Sequence, residues 1–238
     1  MKKIFLCTHL LILSIFVSCT TDDVYTVETI TQTKEFQEQN TNVFSKGLGH
    51  YDTLGSFHNL VLETYVSENY SYTTLEDIFL QVKNTTEDLG NTTYLSGLVP
   101  LEDLTYMVNN PESSLDTFIE NSDLTDVAKA SFSTFATSLS LIESSDDDTF
   151  YNTITAYEQS VKADVNLSSE DNESILTATT LLKYSSTFRK KRRKDKDWEV
   201  SVGNKVNIAA KFQGAVAYDD TTAVIMSVTM EIYLNINQ

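Results

Sequence analysis

Two histidines and an acidic triplet are the side chains in the body of this chain most able to do chemistry. His58 lies in Gly55-Ser56-Phe57-His58-Asn59-Leu60-Val61-Leu62, seven residues after Tyr51 and seven before Tyr65, with Leu54 and Val61 between. That spacing places the ring on the apolar face of a helix. A ring there serves as a base, as a ligand, or as a hydrogen-bonded core residue, and its apolar company favours the core. His50 precedes it by eight residues, about 80° round the helix, which is not a ligand-pair spacing. Zinc would need carboxylates for most of its ligands. Asp146-Asp147-Asp148 lacks the Gly and the distal Glu of an EF-hand loop, so it reads as an acidic cap and turn. The seven Gly do not cluster into a phosphate loop, and no Gly-x-Ser-x-Gly elbow occurs. With 34 Asp and Glu, acidic pairs say nothing about paired-carboxylate catalysis. No catalytic, cofactor-binding or metal residue is assigned, and no cofactor is expected.

The remaining chemistry sits at the N-terminus. Met1-Lys2-Lys3, an apolar run from Ile4 to Val17, then Ser18 and Cys19 form the pattern of an export signal. The run is about 14 residues, short of the roughly 20 that a spanning helix needs. Phe16 at position −3 is poor for ordinary signal cleavage. Cys19 directly after a small residue resembles the lipobox of bacterial lipoproteins, in which the Cys is acylated and becomes the new N-terminus. Asp22 and Asp23 follow, similar to the surface-export signal of lipoproteins in Bacteroidota. The resemblance implies a palmitate-type anchor in membrane lipid through Cys19, at the outer membrane or cell surface of a Gram-negative bacterium. Cys7 departs with the signal, so the mature chain has no disulfide and no Cys for zinc or nucleophilic work.

Net charge is −17, and loss of Lys2 and Lys3 makes the mature chain more acidic still. Such a field repels anionic polymers, and nucleic acid is not an expected partner. One segment runs against it: Arg189-Lys190-Lys191-Arg192-Arg193-Lys194-Asp195-Lys196. It reads as a solvated helix C-terminus, where cations suit the dipole, running into an exposed connector. The alternative is a docking patch for an acidic partner or anionic lipid.

The elements that position these residues are helical. Residues 1–18 are the signal peptide and 19–45 a lipidated, flexible tether rich in Thr, Gln, Asn and Glu. Residues 46–196 carry apolar stripes joined by short polar turns, the pattern of a helical bundle. One stripe is Leu75, Ile78, Val82 and Leu89, with Thr74 and Asp77 as a start signal. Ala128, Phe132, Phe135, Leu139 and Ile142 form a heptad-like seam. Phe150, Ile154, Tyr157 and Val161 repeat it after Asp148, the expected N-cap. Ser168, Ser169 and Asp171 open a helix that buries Ile175, Ala178, Leu181, Leu182 and Phe188. Pro100 and Pro111 each begin a short helix. Residues 197–238 are a tail packing on the bundle. Their alternation of Met226, Val228, Met230, Ile232, Leu234 and Ile236 with Ser227, Thr229, Glu231 and Asn235 is a strand signature, giving a short β-hairpin. Spacing by four through Met226, Met230 and Leu234 supports helix instead.

Gly55, His58-Asn59 and Leu62, then Leu167-Ser168-Ser169-Glu170, Leu176, Ala178, Ser185-Ser186, Trp198 and Gly214-Ala215, resemble a group of exported lipoproteins of Bacteroidota. The resemblance implies a helical tail somewhat like that of a bacteriocin, and no activity. The chain departs from it after Gly214, where no Gly follows. The fold expected is therefore mainly α, with the tail helical or a short hairpin. The expected function is a lipid-anchored binding or scaffolding module with an envelope partner. A membrane-active or antagonism-related protein is the alternative, and an enzyme comes third.

Overall fold

Eleven consecutive residues, Thr222 to Ile232, are all buried. That single stretch decides the architecture. A helix buried on every side belongs at the centre of a bundle. The computed structural model describes residues 49–90, 99–142, 145–193 and 198–237. Cys19, Asp22, Asp23 and the tether lie outside the described residues.

The chain is mainly α-helical. Among the described residues the helices are α1 (His50–Ser67), α2 (Leu75–Asp88), α3 (Val99–Asn109), α4 (Ser114–Asn121), α5 (Asp126–Leu141), α6 (Asp147–Ala163), α7 (Ser169–Arg192), α8 (Lys205–Ala217) and α9 (Asp220–Ile236), and no strand occurs. None of the described helices is long and apolar enough to cross a membrane. α9 packs against α8, α2, α1, α3 and α7; α7 in turn packs against α6, α1 and α8.

The tail is thus helical and central, and the hairpin is overturned. Buried backbone must have its N–H and C=O groups paired, and a helix pairs them within its own segment. The intervening Ser227, Thr229 and Glu231 do not mark a solvent face, because all three are buried. The alternation therefore carries no two-sided pattern. Asp219 caps α9, accepting from Thr222 N at 2.8 Å. Gly214 lets α8 approach: a Cβ there would lie 2.7 Å from Ala223 Cα.

Other starts follow from side-chain chemistry. Thr74 accepts from Asp77 N at 3.2 Å. Ser168 and Asp171 form a capping box. Asp146, not Asp148, caps α6, accepting from Thr149 N at 2.9 Å. Asp148 falls in the first turn, where its carboxylate projects to solvent and meets a lysine instead. Pro100 stands in the first turn of α3, whereas Pro111 lies in the turn before α4. Phe132 stacks obliquely on Phe212 at 4.5 Å, joining the α5 seam to α8. Trp198 meets Phe188 edge-on at 5.0 Å and pins the chain after α7.

Candidate functional site

Three places gather polar side chains, and they differ in access. The first is sealed. His58 on α1, Ser185 on α7, Asn207 and Lys211 on α8, and Ser227 and Glu231 on α9 are each no more than 2% exposed. Lys211 Nζ donates to Asn207 Oδ1 at 2.6 Å and to Glu231 Oε1 at 2.5 Å. The Ser185 hydroxyl donates to the same carboxylate oxygen. His58 Nε2 is 2.9 Å from Ser227 Oγ and 3.3 Å from Glu231 Oε1, and Nδ1 is 3.1 Å from Asn59 Oδ1. Burial alone would push the Glu231 carboxyl up. The Lys211 ammonium and His58 outweigh it and hold the carboxyl at about 2. Burial pulls the Lys211 ammonium down, and Glu231 opposes that pull. We take the pair as ionised, because the ammonium has two oxygen acceptors and the carboxylate several donors.

His58, Ser227 and Glu231 are the residue types of a nucleophilic triad, but the geometry is different. In a triad the serine and the acid engage opposite ring nitrogens. Here Ser227 and Glu231 face the same nitrogen, and none of the three meets solvent. What the arrangement does is tie α1, α7, α8 and α9 together. His58 is the buried, hydrogen-bonded core residue that its helix face suggested. Lys211 and Glu231 were not singled out by the sequence. The available signal was the pair of i, i+4 polar positions, Asn207/Lys211 and Ser227/Glu231, each inside an apolar helix.

The second place is the end of α7. Arg189 Nε and Arg193 Nη1 each lie 3.3 Å from the buried Asp147 carboxylate. Lys190 Nζ meets Asp148 Oδ1 at 2.6 Å, and Lys191 Nζ meets Glu63 Oε1 at 2.5 Å. Arg189 also sits 5.9 Å over the Phe150 ring. The run is a helix C-terminus as expected, but four of its cations are engaged by acids of α6 and α1. Lys194 and Lys196 lie outside the described residues.

The third place is open. A cleft of about 570 Å3 is lined by α3, α4 and the last turn of α8. Asp103 Oδ2 accepts from Gln213 Nε2 at 2.8 Å and from Tyr218 Oη at 2.9 Å. Burial and the Asp103 carboxylate push the Tyr218 phenol well above its usual range. Tyr106 and Phe118 meet edge-on, 5.6 Å apart at 76°. A second cleft of about 570 Å3 opens on the other side of Val216, with Glu173, Asp219 and Asp220 in its wall. There burial raises the Asp220 carboxyl, and His50 at 3.3 Å draws it back down. Among the described residues no three His, Cys, Asp or Glu side chains converge as a bound metal requires. Comparison with known proteins returns no matching family model, no matching curated protein and no matching solved structure.

Proposed function

We propose that this chain is a binding module held at the outer cell envelope by lipid on Cys19. The observation that carries the reading is access. The sealed cluster of His58, Lys211 and Glu231 is closed to solutes, while the cleft at the end of α8 presents a carboxylate and two aromatic rings to solvent. Clefts of this size suit small molecules or a side chain of a partner. The export signal and Cys19 supply the location, and Asp22 and Asp23 the surface address. More than one acyl chain gives a stable hold, where a single chain is marginal. A tether of ~25 residues reaches up to about 80 Å from the lipid.

Two measurements test the two halves. Cys19→Ala should abolish labelling by radioactive palmitate and release the chain from the membrane fraction; unchanged labelling rejects the anchor. For binding, the full chain is titrated with a chemically diverse set of small molecules while the aromatic ring resonances are followed. Saturable shifts at Tyr106 and Phe118 support the reading. A set that leaves both rings unmoved rejects the cleft as the binding site.

A further inference from the structure

The geometry points to a small organic cation, an ammonium group carried on a compact apolar body, as the ligand of the cleft formed by α3, α4 and the end of α8. This rests on the binding reading above and names the chemistry it would recognise.

Three independent features converge there. The first is the end of α8. The last carbonyls of a helix have no donor within it, and the dipole places partial negative charge at that end. Other helices here close their final turn with a backbone N–H from the C-cap residue. In α8 the cap residue is Tyr218, extended at φ −137°, which returns no such bond, and no basic residue stands in the last turn. Val216 and Ala217 of that turn, and Gln213 just before it, line the cleft.

The second is Asp103. Both of its donors, Gln213 Nε2 and Tyr218 Oη, take the same oxygen, Oδ2. Among the described residues no donor reaches Oδ1. The carboxylate is therefore oriented by its neighbours and still has an oxygen to offer. Among the described residues no Lys, Arg or His lines the cleft to neutralise it, in a chain whose net charge is −17.

The third is the aromatic wall. Tyr106 and Phe118 stand nearly perpendicular, so together they present a ring face and a ring edge. A ring face attracts a cation, and the apolar rings cover the methyl or methylene groups beside it. A metal ion or a free proton donor would have no use for that wall, and a purely apolar ligand none for the carboxylate. An alkylammonium uses both, and the roughly 570 Å3 available exceeds what a group of that size needs.

The test uses choline and its uncharged isostere, 3,3-dimethyl-1-butanol, titrated into the full chain by calorimetry and ring NMR. Choline should bind saturably with shifts at Tyr106 and Phe118, and the isostere at least about tenfold more weakly. Asp103→Asn should weaken choline by a similar factor. Tyr106→Ala should also weaken it several-fold. Tyr106 is already exposed, so the thermal unfolding of that variant should match the parent's and separate lost binding from lost folding. Equal binding of the isostere in the cleft overturns the cation while leaving a binding module. Saturable binding that ignores both substitutions places choline elsewhere and overturns the site. Absence of binding by both compounds overturns the inference, while the binding reading stands or falls on the diverse set described above.

Discussion

Lys211–Glu231 and Lys190–Asp148 are nearly the same contact, at 2.5 Å and 2.6 Å. The first pair is at most 1% exposed; the second is more than half exposed on both sides. Only their surroundings differ, and the surroundings set the consequence. In water the attraction of an ion pair is screened, and holding two long side chains together costs entropy. In the core the two charges have lost their hydration, and each is tolerable only while the other is present. The buried pair is thus a condition for the bundle rather than an ornament on it. The exposed pair finishes a helix end.

The largest test of this contrast removes one partner. Lys211→Met should destabilise the chain by about 3–5 kcal/mol, read as a fall in the urea midpoint, because Glu231 is left buried without its ammonium partner. Lys211→Met with Glu231→Leu should recover much of that loss. A single variant within about 0.5 kcal/mol of the parent would break the comparison.

Acid should act on the same pair. The folded Glu231 carboxyl sits at about 2, below its ordinary 4.5. A depressed carboxyl contributes stability that is fully present above the ordinary value and is lost as pH falls through the folded one. Unfolding followed from pH 5 to pH 2 should therefore show a loss between about 4.5 and about 2 that the double variant lacks. An identical slope in both proteins would remove Glu231 from the account.

His58→Ala probes the ring side of the cluster and should cost about 1–3 kcal/mol through lost packing and loss of the 2.9 Å contact between His58 Nε2 and Ser227 Oγ. Calorimetric unfolding checks it; a larger loss than Lys211→Met would make the ring, not the ammonium, the main support. The smallest effect belongs to the surface. Lys190→Ala should leave the unfolding midpoint unchanged within error in low salt and in high salt. A resolvable loss there would mean that the end of α7 acts as a closed clamp.

The sequence made the individual helices legible and hid their arrangement. Thr74 with Asp77, and Ser168 with Asp171, announce helix starts because the capping chemistry is local, and the Phe132–Phe135–Leu139 seam repeats at helical spacing. Three adjacent Asp residues made the α6 cap ambiguous by two positions, since each has the same chemistry and only the backbone angles choose Asp146. Alternation in α9 misled for a physical reason: Ser227 and Glu231 are polar without being exposed, and they face partners on α1 and α8 that periodicity cannot display. The cleft was out of reach for a similar reason. Asp103 and Gln213 are 110 residues apart and meet only after folding.

The position of α9 in the chain has a consequence for how the protein is made. Its seventeen residues, Asp220–Ile236, follow all the other described helices in the chain and yet fill the middle of the bundle, against helices as early as α1. Until α9 is made, His58 Nε2 lacks Ser227 and Glu231, and the faces of α1, α2, α3, α7 and α8 that α9 covers stay open. Folding of the bundle must wait for α9, since long-range contacts form only when both segments exist. Loss of α9 by truncation would accordingly do more than shorten the molecule; it would leave a shell whose centre never arrives.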